Sequence, residues 1–170
     1  MNEKNTKHIL SIMVDNEPGV LARVVGLFSG RGYNIESLSV SEVDSHKFLS
    51  RITIVTSGTK LIIDQIKAQL GKLIPVHNLV DISELDSFIG KELILVKLNV
   101  KDNQKLDLKK KLTKFGVVIL LERNFELIVQ YTGTPEDITK LVKLLKNTKI
   151  IEQTRSGLVS MATGTDYIKK

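Results

Sequence analysis

Asp15-Asn16-Glu17-Pro18-Gly19-Val20-Leu21 is the stretch on which the fold turns. It starts where an apolar run, Ile9 to Val14, stops, and it ends where apolar residues take up helical spacing at Leu21, Val24, Val25 and Phe28. A short strand therefore passes straight into a helix, with Pro18 fixing φ near the first helical turn and Gly30 and Gly32 supplying the stop. Beyond that helix, Tyr33 to Val40 and Phe48 to Val55 are β-rich, the second alternating Phe48, Ser50, Ile52, Ile54 against Leu49, Arg51, Thr53, Val55. They read as a hairpin. The apolar positions change parity between Ile35 and Leu38, which predicts a bulge in the first of the two strands. Thr59 opens a second helix with the stripe Ile62, Ile66, Leu70 and Leu73, Gly71 and Pro75 bracket its end, and Val76 to Ile82 is a last strand. The order is βαββαβ.

The order then recurs. Leu93 to Val100 is a strand with apolar even positions, Leu108, Leu112 and Phe115 stripe a lysine-rich helix, and Val117 to Leu121 and Phe125 to Tyr131 form two further strands. Thr134-Pro135-Glu136-Asp137 starts a helix with a hydroxyl cap, Pro at the first position and acids in the first turn, and Asp137 stands where a capping box has its acidic member. Ile138, Leu141, Val142 and Leu145 complete it, and Ile150 to Met161 is a last strand interrupted by Gly157. The 170 residues thus read as an α+β protein of two tandem ferredoxin-like βαββαβ domains, residues 7–84 and 90–166, with 85–90 as linker. Such a unit puts both helices on one sheet face. Ile9 and Met13, and Leu93 and Leu95, make the opposite faces apolar as well, so self-association, domain against domain or subunit against subunit, is the economical reading, with cover by linker residues as the alternative.

Composition removes several function classes. There is no Cys, hence no disulfide, zinc knuckle or thiol nucleophile, and His8, His46 and His77 are too far apart in sequence to make a local metal-ligand pair. No apolar run approaches the roughly 18 residues of a membrane span, and Met1 to His8 is polar without a signal core, so a soluble, cytoplasmic location is expected. Gly30-Arg31-Gly32 lacks a third glycine and ends a helix, so it is no dinucleotide fingerprint, and neither a Walker loop nor a nucleophile elbow is present. Glu122 and Glu126 flank a hairpin turn, where solvated charges belong. No catalytic machinery and no metal site emerges. The net charge of +6 falls wholly in residues 86–170, with sixteen basic and ten acidic side chains against nine of each before it. Lys105, Lys109, Lys110, Lys111 and Lys114 could meet phosphate, but they surround a three-residue apolar stripe as a solvated helix face does, and the aromatic signature of an RNA-binding sheet is missing. Nucleic acid is the weaker reading.

The first loop remains. Free N–H groups at a helix N-terminus favour a carboxylate, Asn16 offers an amide oxygen to an ammonium group, Gly19 permits close backbone approach, and Asn34-Ile35 adds one polar and one apolar contact. An amino acid fits. Spacing alone favours a plain turn, since Asn, Pro and Gly are also what turns need.

The run from Asp15 through Val24-Val25-Gly26-Leu27-Phe28-Ser29, then Arg31-Gly32-Tyr33-Asn34-Ile35-Glu36-Ser37-Leu38, resembles the N-terminal ACT domain of the regulatory small subunits of acetolactate synthase, also called acetohydroxyacid synthase. Glu92-Leu93-Ile94-Leu95-Val96-Lys97 and Arg155-Ser156-Gly157 extend the likeness into the second half, where the family carries a C-terminal regulatory-subunit domain. Val43-Asp44-Ser45-His46-Lys47 and most of 101–149 depart from it. The resemblance implies a non-catalytic chain of branched-chain amino-acid biosynthesis that activates a large catalytic subunit and confers feedback inhibition by valine. It implies a homodimer through the ACT domains, with the effector between two of them on Asn16, Gly19, Val20 and Leu21 of one chain and Asn34 and Ile35 of the other. It implies no cofactor in this chain, thiamine diphosphate, Mg and FAD belonging to the catalytic partner, and either a cytoplasmic or, for a plastid-encoded chain, a stromal location. An ACT protein acting on a different enzyme, or a basic RNA-binding module, are the alternatives.

Overall fold

Element order in the computed structural model, which describes residues 5–164, is β1 (Thr6–Asp15), α1 (Val20–Ser29), β2 (Ser37–Asp44), β3 (Leu49–Gly58), α2 (Lys60–Leu70), β4 (Val76–Asp81), β5 (Phe88–Asn99), α3 (Asp102–Phe115), β6 (Val118–Arg123), β7 (Glu126–Gly133), α4 (Pro135–Leu144), β8 (Lys149–Arg155) and β9 (Val159–Ala162). Two compact units result, one of residues 5–90 and 158–164, the other from Lys91 to Gly157. Among the described residues no helix is long and apolar enough to cross a membrane.

In the first unit the antiparallel sheet runs β2-β3-β1-β4, the ferredoxin-like order. Period-2 alternation sends Leu10, Ile12 and Val14 of β1 and Ile52 and Ile54 of β3 to one face, where they meet Val20, Val24 and Phe28 of α1 and Ile63, Ile66 and Leu70 of α2. Each such side chain, fully withdrawn from water, contributes about 1.5–3 kcal/mol before entropy is charged against it. Thr59 caps α2 by accepting from the Ile62 N–H. Strand β2 begins at Ser37 and not at Tyr33. Ile35 lies ahead of the strand, so the parity change at Ile35 to Leu38 marks chain entry, and the irregularity of register falls later, between Glu42 and Asp44. Pro18 likewise stands one residue outside the N-cap, Gly19.

The opposite face is not bare. Ile9 and Val55 pack with Ile82, from a 3₁₀ turn at Ile82–Glu84, and with Leu158, while Met13 packs on Leu49. Of the alternatives for this face, cover by chain outside the four-stranded sheet is what the structure has over Ile9.

The second unit repeats the order as β6-β7-β5-β8. Ile94, Val96 and Leu98 carry its core against Leu108 and Leu112 of α3 and Ile138 and Leu141 of α4. Thr134 caps α4 as expected, accepting from the Asp137 N–H. The expected last strand is really two. Strands β8 and β9 both pair with β5, but Leu158 and β9 group with the first unit, where the Leu158 N–H donates to Ser37 Oγ and the Thr163 N–H to the Ser87 carbonyl. The second unit accordingly closes at Gly157 instead of running to 166, residues 165 and 166 lying outside the described residues. The expected linker at 85–90 is shorter too, because β5 already starts at Phe88. Alternation identifies a strand but not the unit it packs with.

Candidate functional site

The loop after β1 is pinned at its entrance and open at its exit. The Asp15 N–H donates to the Pro75 carbonyl (2.9 Å), the Asp15 carboxylate meets His77 Nε2 (2.5 Å), and the Asn16 N–H donates to the Phe48 carbonyl (2.6 Å). Gly19 then takes φ +85°, ψ −10°, a left-handed conformation that costs an ordinary L-residue about 1–2 kcal/mol. A Cβ on Gly19 would meet no protein atom within 4 Å, so glycine is required by the backbone angle and not by crowding within the chain. As N-cap, Gly19 offers no side chain to the helix, and the first turn of α1 holds no acidic residue. That leaves a helix end with amides uncapped by side chains and a macrodipole worth roughly half a positive charge, which is receptive to a carboxylate.

The six expected contact residues divide. Asn16 and Asn34 are exposed, and among the described residues they are hydrogen-bonded only through their backbones, Asn34 by its carbonyl to Thr56 Oγ1 (2.7 Å). Leu21 is 36% exposed and available. Val20 is buried in the first core, and Ile35 packs against that same core, so Val20 can offer a ligand only its backbone and Ile35 only part of its side chain. Nor does one chain bring the two groups together. Asn16 sits at the Phe48 end of β3 and Asn34 at the Thr56 end, eight residues along the strand, a separation of about 26 Å at about 3.3 Å per residue.

Three features escaped sequence reasoning. Phe48 has φ +50°, a backbone outlier for a bulky residue, and is 67% exposed. His8 and Asp81 form a buried pair, Nδ1 to Oδ2 at 2.6 Å, with Thr6 Oγ1 on the other ring nitrogen (2.8 Å). With Glu84 these are a His-Asp-Glu group close enough to hold a cation, yet Lys67 Nζ already lies 3.0 Å from Glu84, and Asp81 also accepts from the Ser83 N–H and hydroxyl. The group is a satisfied network. Burial pulls the Lys67 pKa down, but its bonds to Glu84 and Asp64 outweigh that and leave it raised. Finally, Glu92 is buried and bonded to Arg155 Nε. A charged residue at an even position, in register with Ile94, Val96 and Leu98, was the available signal for it.

Several further charges are paired. The Ser57 hydroxyl and then Lys7 hold the Glu36 carboxyl below its ordinary value. Lys105, Lys109 and Lys111 are ion-paired with Asp102 and Glu122, with Glu122, and with Asp107, so three of the five lysines considered for phosphate are engaged within their own unit.

Comparison with known proteins now decides the family. Residues 10–78 match the AHAS small subunit-like ACT domain, and residues 91–164 match the family described as small subunit of acetolactate synthase. This chain belongs to the acetolactate synthase small-subunit family. The small subunit of Buchnera aphidicola subsp. Schizaphis graminum is 39% identical over 159 residues, covering 93% of this chain and 99% of that protein. The isozyme 3 small subunit of Escherichia coli K12 is 35% identical over 164 residues, covering 96% and 99%. The crystal structure of the acetolactate synthase small subunit from Thermotoga maritima superposes with a TM-score of 0.86 at 30% identity, covering 95% of this chain and 99% of that one. Membership assigns the chain a regulatory role beside a catalytic subunit in branched-chain amino-acid biosynthesis.

Proposed function

We propose that this chain, itself non-catalytic, activates a thiamine-diphosphate-dependent acetolactate synthase subunit and makes it sensitive to valine, with the effector shared between two copies of the first unit. The Mg and FAD expected of that enzyme belong, like thiamine diphosphate, to the partner. The observation that carries the reading is the split site. The uncapped start of α1 suits a carboxylate, Asn16 and Asn34 suit an ammonium group, and Leu21 suits an aliphatic side chain, but the Asn34 group lies at the other end of the sheet from the rest. Only a second chain can supply both. Strand β2 is at the edge of its sheet, with Val40 and Val43 exposed, and antiparallel pairing of two such edges about a two-fold axis carries the Asn34 end of one chain toward the Asn16 end of the other.

Complementation tests this. Asn16→Ala and Asn34→Ala dimers should each bind little valine by calorimetry. An equilibrated equal mixture should regain about a quarter of the wild-type sites, since half its dimers are mixed and each of those keeps one intact site. Absence of recovery, with a dimeric mass by light scattering, would place the site within one chain. Pyruvate turnover by the chain alone would refute the non-catalytic role, and no appreciable DNA or RNA affinity is expected near physiological salt.

A further inference from the structure

We infer that the sheet face of the second unit turned away from its helices is where a second copy of this chain docks, the two copies meeting face to face about a two-fold axis. The inference concerns residues 91–157 and does not depend on the effector reading. Its basis is a difference between the two sheets at matching positions. The bond from the Asn16 N–H to the Phe48 carbonyl and that from the Val100 N–H to the Phe125 carbonyl hold the same place in the two repeats, so Ile9, Ser11 and Met13 of β1 correspond to Leu93, Leu95 and Lys97 of β5. The first three are buried, with Ile82 and Leu158 packed on Ile9. The second three are only half-buried, and Val118, in the same cross-strand row as Gln130 and Leu95, is 54% exposed. Side-chain chemistry runs opposite to this cover. The covered sheet has Ser11 paired with Thr53, whereas the uncovered one has Leu95 in place of Ser11 and Ile128 in place of Arg51. Apolar residues set side by side on an uncovered face mark an interaction surface, as scattered ones do not.

Charge selects the occupant. On the helices of this unit Lys110, Lys114 and Lys143 are exposed without an ion-pair partner among the described residues, against one such acid, Glu136, so two copies repel each other there. The sheet face holds both signs instead. Lys97 Nζ lies 3.5 Å from Glu126 Oε1 and 4.0 Å from Glu152 Oε2. The strand order β6-β7-β5-β8 puts Glu126 and Lys97 on the two central strands. A two-fold axis along the strands, between β7 and β5, lays β7 of each copy on β5 of the other. Each Glu126 then comes within reach of the second copy's Lys97, and both pairs form at once. A foreign protein would have to supply that pattern of apolar rows and alternating charge, whereas a second copy carries it by symmetry.

The chain has no cysteine, so a single introduced one reports which faces meet. Thr132→Cys stands at the exposed rim of the sheet face, opposite Leu93, and Lys143→Cys stands on the helix side. With a bis-maleimide spanning about 10 Å, the separation of packed sheets, roughly half or more of the Thr132→Cys chains at micromolar concentration should be captured as covalent dimer, and about a tenth or fewer of the Lys143→Cys chains. Adding Leu95→Glu to Thr132→Cys sets a carboxylate inside the contact and should cut the dimer yield at least about fivefold. Circular dichroism melts report whether that variant folds, and Val118→Glu, at an exposed position, serves in its place if it does not. Equal capture at the two cysteines, no capture at Thr132→Cys, or a yield untouched by the added carboxylate would overturn the inference. So would disappearance of the Thr132→Cys dimer on adding the catalytic subunit, which would give this face to that partner.

Discussion

Helices α1 and α3 occupy the same place in the two repeats, each following the first strand of its sheet, and they begin differently. Helix α1 starts on Gly19 in a left-handed conformation, with no capping side chain and no acid in its first turn. Helix α3 starts on Lys101 in an extended conformation, likewise without a side-chain cap, but carries Asp102 in its first turn. In the second unit a carboxylate of the chain itself complements the helix dipole, and Lys105 pairs with it at 3.4 Å. In the first unit that position is open to a carboxylate from outside. The repeat thus preserved the fold twice and left a helix start without a first-turn acid in the first unit, which is why the proposed effector is placed there.

The sharpest way to break this comparison is to exchange the helix starts. Gly19→Asp should lower valine affinity by at least about tenfold, because it adds left-handed strain and sets a second negative charge against the ligand carboxylate. Lys101→Asp should leave valine binding unchanged and stabilise the chain by up to about 1 kcal/mol through a new cap. Calorimetry and thermal denaturation read the two effects, and a loss of valine binding in Lys101→Asp would end the distinction between the units. Next in size is Gly133→Ala. A Cβ there would stand 2.4 Å from Tyr131 Cε1 and 2.8 Å from its hydroxyl oxygen, so the ring must move, at a cost of about 1–3 kcal/mol in denaturant unfolding.

The capping threonines offer a smaller contrast. Thr134 accepts from the Asp137 N–H (3.2 Å) and donates to the Asp137 carboxylate (2.9 Å), whereas Thr59 has a single bond of 3.4 Å to the Ile62 N–H. Thr134→Ala should therefore cost about 1 kcal/mol and Thr59→Ala about half that, with the effector response intact in both. The smallest effect is titration. Lys140 and then the Thr134 hydroxyl hold the Asp137 carboxyl below its ordinary value. A lowered folded-state pKa gives a contribution present above the unfolded value and lost as pH falls through the folded one. The stability difference between wild type and Asp137→Asn should accordingly shrink below about pH 4 and stay constant above it.

Period-2 and helical spacing were enough to read both βαββαβ orders, because each sheet has one face wholly committed to its helices. Leu10, Ile12 and Val14, or Ile94, Val96 and Leu98, leave no choice of register. Periodicity was less useful where the chain passes from one unit to the other. Ile150 to Met161 reads as one interrupted strand, yet its two parts serve different units, and Gly157 signals the break without naming the destination. The site was legible as chemistry, a glycine-started helix beside exposed amides, but not as geometry. Val20 counts among its residues by position, although its side chain lies in the core, and the distance between Asn16 and Asn34 depends on strand register that no local pattern records.

What the sequence by itself determined was therefore local: the elements, the cap at Thr134, the need for glycine where φ is positive at Gly19, and the two core faces. These follow from backbone sterics and from apolar spacing along the chain. Only the tertiary structure decided that Leu158 returns to cover Ile9, that His8 and Glu92 are buried with Asp81 and Arg155 as partners, and that Asn16 is tied to a strained Phe48 while Asn34 stands at the far end of the sheet. Each of these joins residues distant in sequence. The free energy that selects such contacts comes from burial and pairing in the finished fold, which no window of neighbouring residues contains.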